Sequence, residues 1–291
     1  MTDPLDALRE PVRPVAPDPA FAARLRERVG ALLLDPTLPI DEGTTTMTDT
    51  STAVHLRPGD LSYTSVWTPD VAAAARFYSA VLGWETEGDH QGRGRRVTNV
   101  RTDMGIFGGM PSTLFFAAVV DDADAAAARV RAAGGTVGDT AELPYGRLVD
   151  CRDDQGLTFA LHQPPAGAAP TIGPDTGAPG ELAYVAVQTS DTARARAFFG
   201  SVLGWEFVAG TTPGNWHVEV GGESTRPAMV GLGQHPGAPV VVPMFAVTDV
   251  HAALDSVRAA GGTATDPEAA GYGTVSECTD DQGGRFYLAR F

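Results

Sequence analysis

The chain has 291 residues, enough for two ordinary domains and an extension, each domain with its own core. Hydrophobic residues make up 43% and charged residues 20%, which is a globular composition. The formal net charge is −15, and all 21 basic residues are arginines. Such an acidic surface repels phosphate backbones, which argues against nucleic-acid binding, and the absence of lysine excludes Schiff-base chemistry.

The sequence carries no signal for membrane attachment or for an oxidising compartment. Its longest apolar runs, such as residues 115–120, are too short to span a bilayer, and Asp3 and Asp6 argue against a secretory signal. Cys151 and Cys278 are too few and too far apart for a disulfide framework. We therefore expect a cytoplasmic protein with two free thiols and no membrane association.

Residues 1–60 are predicted to form an N-terminal helical arm followed by a flexible linker. Asp18 and Pro19 open a helix with one apolar stripe, and Pro36 and Pro39 end it. The stripe predicts that the arm docks on the body of the protein or on a partner subunit, which would make a homodimer. A regulatory lid is the alternative hypothesis.

The first folded segment begins with an alternating strand at residues 61–68. Asp70 is predicted to cap a helix that continues to Leu82 and stops at Gly83. The same order of strand, helix and paired strands then recurs. The remaining elements are predicted as strands near 95–101 and 104–110, a strand near 113–120, a helix over about 123–133, and strands near 147–151 and 157–162.

A repeat divides the chain into two copies of this unit. Four blocks recur in the same order, the first two at an offset of 121 residues and the last two at 127. Chance does not produce four collinear matches, so the copies share one fold. The blocks are LSYTSVWTPD (61–70) with LAYVAVQTSD (182–191), FYSAVLGWE (77–85) with FFGSVLGWE (198–206), VRAAGGT (130–136) with VRAAGGT (257–263), and CRDDQG (151–156) with CTDDQG (278–283).

The domain boundaries follow from the repeat. The first module is assigned to residues 61–163 and the second to residues 181–291. Residues 164–180 are rich in Pro, Gly and Ala and are predicted to form the linker.

Each copy contains a β-α-β-β-β unit twice, with an aromatic-x-x-V-L-G-W segment after its first strand. This pattern resembles the vicinal oxygen chelate (glyoxalase, bleomycin resistance and dioxygenase) superfamily, and in particular its two-module, metal-free actinobacterial members. The resemblance implies an α+β fold in which tandem paired βαβββ modules form two half-open β cups. It does not imply one activity, because the fold supports many chemistries.

Metal-using members of the family hold a divalent ion with His, Glu or Gln side chains from the first, fourth, fifth and eighth strands of a cup. A metal site needs three or four convergent N or O donors. At the corresponding positions this sequence offers glycine, small or apolar side chains and tyrosine, so no metal and no cofactor are expected in either cup. The positions are Tyr63, Gly108, Phe115 and Ala160 in the first module and Tyr184, Gly231, Val242 and Tyr287 in the second.

Strand alternation assigns the side chains that would line the cups. Val66 and Val187 are assigned to the helix-covered face, so their neighbours in the same strands face the ligand side. The sequence thus predicts aromatic and polar contacts to a small molecule. The predicted ligand-binding residues are Tyr63, Ser65, Trp67, Thr158, Tyr184, Gln188 and Arg285.

Three residues are candidates for catalysis. His217 and Glu219 stand one residue apart on one strand face, as a general base and its orienting partner would, and Tyr287 falls on the ligand side of the last strand. The alternative is ordinary solvated strand polarity. Arg285 is open to two interpretations, a partner for an anionic ligand or for an acidic neighbour. His162 is expected at an exposed strand end, and His235 in a loop.

We therefore expect metal-independent binding of a small organic molecule, aromatic or similar to a secondary metabolite, in a glyoxalase-like cup. Sequestration or resistance would be its role. The alternative is a metal-free enzyme of secondary metabolism, hydroxylase-like or a lyase or isomerase, that uses acid/base residues. A structural role mediated by the arm is a third hypothesis.

Overall fold

A computed structural model of the protein describes residues 54–88, 93–167, 171–172, 179–210 and 213–291. The predicted arm helix, and with it the homodimer and lid hypotheses, lies outside the described residues. The described helices have 10 or 12 residues, and none of them has the length and apolarity that a bilayer crossing requires.

The first module is one eight-stranded sheet with two helices. Its strands follow the order β3-β4-β5-β2-β6-β9-β8-β7. The neighbours β2–β5 and β6–β9 are parallel, and β2 and β6 run antiparallel at the centre. The elements are β2 (Leu61–Thr68), α1 (Val71–Leu82), β3 (Thr86–Gly88), β4 (Gly94–Val97), β5 (Met104–Gly108), β6 (Thr113–Val119), α2 (Ala123–Ala132), β7 (Thr136–Leu143), β8 (Gly146–Arg152) and β9 (Thr158–Gln163).

The second module repeats this arrangement, with the main strand order β12-β13-β15-β11-β16-β20-β19-β17. Two short strands are added at its margins: β14 pairs with β13, and β18 with β19. The elements are β11 (Leu182–Thr189), α3 (Thr192–Leu203), β12 (Glu206–Ala209), β13 (Trp216–Val220), β14 (Glu223–Ser224), β15 (Met229–Gln234), β16 (Val240–Ala246), α4 (Val250–Ala259), β17 (Thr263–Ala264), β18 (Glu268–Ala270), β19 (Gly273–Thr279) and β20 (Arg285–Arg290).

The segment before the first module and the linker form a two-stranded antiparallel sheet. Strand β1 (Val54–His55) pairs antiparallel with β10 (Thr171–Ile172). Leu56 and Ile172 are buried with Val119 of the first module. Parts of the segments assigned to arm and linker therefore pack on the folded body.

The predicted paired βαβββ cups are confirmed, and local sequence explains their helices. Asp70 accepts hydrogen bonds from the backbone N–H groups of Ala72 and Ala73, and Gly83 ends α1 in the left-handed conformation. Asp122 caps α2 in the same way. Strands β3 and β7 are not predicted from the sequence. Most residues of these two edge strands are exposed, so they lack the apolar alternation that would indicate a strand.

One hydrophobic core lies between the two sheets and contains buried residues of both modules and of all four described helices. Helix α1 contributes Phe77 and Tyr78, whose rings pack edge-on against Phe286 of the second module. Helix α3 makes the reciprocal contact, with Phe198 and Phe199 against Phe159 of the first. The helices thus join the modules back to back, which leaves the other face of each sheet for a cup.

Two tryptophans join the modules by equivalent hydrogen bonds. The Trp84 indole donates to the Gly180 carbonyl oxygen at 3.0 Å, and the Trp205 indole to that of Gly59 at 2.9 Å. Each glycine lies just before the first strand of the opposite module. An indole N–H must find a partner when it is buried, and these carbonyl groups supply it.

The Asp-Asp-Gln-Gly turns serve the same junction. Asp280 accepts two backbone hydrogen bonds inside its own turn, while the Gln282 amide group bonds both the N–H and the carbonyl group of Asp70. In the equivalent turn, Gln155 donates to the carbonyl oxygen of Asp191 at 3.0 Å. Each turn therefore closes a strand pair and holds the helix start of the opposite module.

Candidate functional site

The cup faces are set by strand register. A β-bulge follows the first residue of the central strand in each module, between Leu61 and Tyr63 and between Leu182 and Tyr184. Beyond the bulge, the side chains alternate between the shared core and the cup. Val187 is buried in the shared core, as predicted.

The second cup contains a cavity of about 150 Å³. Its floor is formed by the central strands β11, β15, β16 and β20, and its rim by the ends of β13 and β15 and by the segment around β18. The lining residues are Tyr184, Ala186, Gln188, Asn215, Gly231, Leu232, Gly233, Gln234, His235, Pro236, Met244, Glu268, Ala269, Ala270, Tyr272, Val275, Glu277, Arg285 and Tyr287.

Three tyrosines meet in this cavity against a buried methionine. Tyr184 lies opposite Met244, and Met244 lies beside Tyr287 in the neighbouring parallel strand. Tyr272 is almost fully buried next to them. Burial raises the pKa of all three phenols above the ordinary value, so each remains protonated at neutral pH. The cavity thus offers aromatic faces and hydroxyl groups rather than phenolates.

A charged pair lies on the wall of the same cavity. The Arg285 guanidinium donates through Nε to Glu277 at 2.7 Å and through one terminal nitrogen to the Gln188 side-chain oxygen at 3.1 Å. Of the two interpretations of Arg285, the structure shows the acidic neighbour. Because the ion pair is internally neutral, the cavity does not require a charged ligand.

Several lining residues were not predicted. Glu277, Tyr272 and Met244 could have been found by extending the strand alternation into β16 and β19. His235, assigned to a loop without a role, follows β15 and reaches the cavity rim with Asn215. His235 and Asn215 lie outside the strands, so strand alternation could not have assigned them to the cavity. Only the folded sheet brings their segments together.

Aromatic and apolar side chains pack together in the first cup. The Trp67 ring stacks on Phe115 with a centroid distance of 4.7 Å and an interplanar angle of 9°. Tyr63 and Leu148 pack on the same cluster, which includes Ala160. Of the other predicted ligand-binding residues in this module, Ser65 is buried and Thr158 begins β9. The two aromatic residues that the sequence assigned to a ligand in this module, Tyr63 and Trp67, therefore pack on one cluster around Phe115.

His162 differs from its expected position. It is buried instead of exposed, and its Nε2 lies 3.0 Å from the carbonyl oxygen of Tyr145. The expectation rested on its place near the end of a strand. That end is covered by Tyr145, whose ring packs edge-on against the histidine.

The three predicted catalytic residues are not all in the cavity. Tyr287 lines it, whereas His217 and Glu219 are not among the lining residues. His217 is buried directly opposite Gly231, on the cup face as predicted but one strand farther out. Glu219 lies opposite Glu206 and Ser224 toward the sheet edge. A catalytic role for this pair stays a prediction.

The fourth-strand position of the family's metal site needs one correction. Ser65 lies opposite Gly105, and its repeat equivalent Ala186 lies opposite Gly231. The counterpart of Gly231 is therefore Gly105, not Gly108. The number of residues between the first helix and this strand differs between the modules. Sequence spacing alone therefore assigned the position to Gly108 instead of Gly105.

The residues at these positions do not fit a divalent metal. In the second cup they are Tyr184, Gly231, Val242 and Tyr287. The two tyrosines are protonated phenols, Val242 has a hydrocarbon side chain, and Gly231 has no side chain, so none of them is a good ligand for a divalent ion. Across the described ranges, no group of three or more His, Cys, Asp or Glu side chains is arranged to hold a metal ion.

Both modules match family models of known proteins. Residues 64–162 match the glyoxalase-like domain, and residues 181–287 match the glyoxalase/bleomycin resistance protein/dioxygenase superfamily. These spans agree with the two sheets described above.

Two curated relatives come from Streptomyces. The anthracycline biosynthesis protein DnrV of Streptomyces peucetius is 27% identical over 261 residues, covering 79% of this chain and 92% of that protein. The anthracycline biosynthesis protein DauV of Streptomyces sp. (strain C5) is 28% identical over 191 residues, covering 55% of this chain and 68% of the relative.

Solved structures share the fold at lower identity. The Mn(II)-bound glyoxalase from Novosphingobium aromaticivorans has a TM-score of 0.62 at 17% identity, covering 80% of this chain and 82% of its own. The 2,2',3-trihydroxybiphenyl 1,2-dioxygenase from Sphingomonas wittichii strain RW1 has a TM-score of 0.58 at 19% identity, covering 80% and 90%. With two matched domains and this shared architecture, the chain belongs to the vicinal oxygen chelate (glyoxalase/bleomycin resistance/dioxygenase) superfamily as a tandem of two modules.

Proposed function

We propose that the second cup binds a small aromatic molecule of secondary metabolism without a metal ion. The observation that carries this proposal is the cavity of about 150 Å³, whose wall combines three protonated tyrosines, Met244 and the Arg285–Glu277 ion pair. Aromatic and thioether side chains favour flat apolar ligands, and a few polar groups fix their orientation.

The cavity volume limits how much of the ligand can be enclosed. An apolar cavity of about 150 Å³ in another protein holds one benzene molecule. We infer that one ring of the ligand occupies the floor of the cup. A larger ligand would then extend past the rim, where His235 and Pro236 are available for contact.

The curated relatives support a ligand of this class. DauV and DnrV are both named as anthracycline biosynthesis proteins, and DnrV matches this chain over both modules. We therefore infer a function related to secondary metabolism for this chain as well.

The proposal is tested by titrating the protein with 1,8-dihydroxyanthraquinone, followed by the visible absorbance of the dye and by calorimetry. We expect saturable binding at one site per chain. After treatment with a chelator, binding should be unchanged, and adding manganese, zinc or iron(II) should not strengthen it. Binding that appears only with one of these ions would contradict metal independence.

A blocking variant locates the site. Ala186 lines the cavity floor, so Ala186→Trp should fill the cavity and abolish binding. Ala128, exposed on α2, provides the matched control, because Ala128→Trp adds the same side chain outside the cup. If both variants bind normally, the second cup is not the site.

A second candidate function is a metal-free enzyme. Two observations favour it: the relatives are named for biosynthesis, and the cavity places Glu277 near the phenol of Tyr287, where a carboxylate and an acid could act on one ligand. Mass spectrometry of the ligand after incubation distinguishes the two functions. Sequestration predicts stoichiometric protection and unchanged ligand.

The enzyme hypothesis makes a specific prediction for His217. If this residue is the general base, His217→Ala should abolish product formation and leave ligand binding largely intact. Turnover that survives in His217→Ala but is lost in Tyr287→Phe would assign the chemistry to the cavity itself.

A further inference from the structure

The hydrogen-bond donors of the second cup converge on one side of the cavity. Arg285 and Tyr287 belong to β20, Gln188 to β11 and Glu277 to β19, so three strands supply one network. All four side chains line the cavity. The direction of each hydrogen bond in this network can be assigned from the chemistry of the groups.

Arg285 fixes that direction. A guanidinium group only donates, so the atom of Gln188 that faces it at 3.1 Å must be the amide oxygen. The NH₂ group of Gln188 then points away from Arg285. Glu277, held at 2.7 Å by the same guanidinium, prevents Arg285 from turning.

Tyr287 stands beside this network on the cavity wall. It lies two residues from Arg285 on the same face of β20, and it pairs with Glu277 in the neighbouring strand. Burial raises the pKa of its phenol above the ordinary value, so the hydroxyl group keeps its proton at neutral pH. A protonated phenol that lines the cavity can donate its hydrogen to an acceptor on a ligand.

We propose that this network makes the second cup selective for aromatic ligands with a carbonyl oxygen beside the ring, to which Tyr287 donates a hydrogen bond. The inference rests on the proposed function and adds the class of polar group that the ligand carries. Tyr287 is the specificity-determining residue, and Gln188 and Arg285 are positioning residues.

The first cup lacks this network at equivalent positions. Arg285, Tyr287 and Gln188 correspond to Thr158, Ala160 and Trp67 by the repeat offsets. The bulky apolar indole replaces the amide, and alanine replaces the donor. The donors are therefore a property of one cup and not of the fold.

The test compares 1-indanone with indane, the same bicyclic ring system with and without a ketone. A site built to hydrogen-bond one group rejects the analogue that lacks it. We expect calorimetry to show about tenfold tighter binding of 1-indanone to the full chain, the order of one neutral hydrogen bond. The infrared carbonyl stretch of bound 1-indanone should move to lower wavenumber than in an apolar solvent.

Two variants assign the donor. Tyr287→Phe keeps the ring and removes the hydroxyl, so the discrimination and the infrared shift should both disappear. Gln188→Glu replaces the amide donor by an acceptor, which would draw the Tyr287 hydrogen away from the ligand, with the same result. Tyr145→Phe removes a hydroxyl group from the first module, outside this cavity, and should retain both signals.

Three outcomes are decisive. Discrimination lost in Tyr287→Phe and Gln188→Glu but kept in Tyr145→Phe supports the proposal. Equal binding of 1-indanone and indane overturns it and leaves the proposed aromatic binding intact. Binding of neither compound, nor of the anthraquinone, overturns both proposals. Thermal melting of each variant confirms that the fold is retained.

Discussion

The hydroxyl group of Tyr184 lies directly over Gly231, where a Cβ atom of residue 231 would overlap it. Tyr63 stands in the same relation to Gly105 in the first module. In both cups a tyrosine from the central strand thus crosses a glycine of the neighbouring strand. At two positions that the family resemblance assigns to metal ligands, each cup therefore has a tyrosine packed over a glycine.

This contact predicts that Gly231→Ala destabilises the protein by about 1–3 kcal/mol, because the added methyl group must displace Tyr184 in a packed cup. The backbone at Gly231 is not in the left-handed region, so overlap and not backbone strain causes the loss. Urea unfolding would measure it. In a Tyr184→Leu background the same substitution should cost much less.

Gly88→Ala is the matched control. Gly88 also lies in a strand, and its backbone is not in the left-handed conformation. No atom of another segment lies within 4 Å of an added Cβ there. We expect no loss of stability there. A similar loss at both glycines would mean that strand glycines matter here for reasons other than the tyrosine contact.

The shared core predicts that the modules do not fold separately. In a fragment of residues 54–167, Phe77, Tyr78 and Trp84 would lose their packing against Phe245 and Phe286. We expect this fragment to lack a cooperative thermal transition and to regain one when it is coexpressed with residues 171–291. Cooperative melting of the isolated fragment at the temperature of the full chain would contradict the prediction.

The stack of Trp67 on Phe115 predicts that removing the indole makes room for a ligand in the first cup. Trp67→Ala should lower the free energy of unfolding by about 1–3 kcal/mol, less than for a fully buried tryptophan, because Trp67 is only partly buried. Added indole should restore part of this loss by binding the folded state alone. Thermal melting with and without indole measures both effects. The wild-type protein is the control and should show no gain at the first cup.

The two buried cysteines are expected to be unreactive in the folded protein. Burial raises the pKa of both Cys151 and Cys278 to about 12, so neither forms a thiolate in the folded protein at pH 8. We expect no reaction with Ellman's reagent until the chain is unfolded. Rapid labelling of the native protein would show that one thiol is accessible.

The same shift sets the sign of the alkaline stability change. The folded thiols hold their protons up to about pH 12, whereas an unfolded thiol ionises near 9. The folded state therefore binds more protons in this window, and stability falls as the pH rises from about 9 toward 12. Replacing both cysteines by alanine should make the unfolding free energy less dependent on pH in this window.

The sequence by itself determined the repeat, the helices and most strands of the two modules, and the face of each central strand. These features follow from local rules: alternation separates Val187 from Gln188, and Asp70 caps a helix wherever its chain lies. The four collinear blocks then required both halves to share one fold. The absence of metal-ligating residue types at the matched positions was also visible without coordinates.

Only the tertiary structure decided what the equivalent residues of the two cups contact. Trp67 and Gln188 occupy equivalent positions, but the indole stacks on Phe115, whereas the amide meets Arg285 from another strand. Such outcomes depend on which side chains share a volume, and the strands that supply these two pairs of residues place them 48 and 97 residues apart in sequence. Pattern along one strand carries no information about that volume.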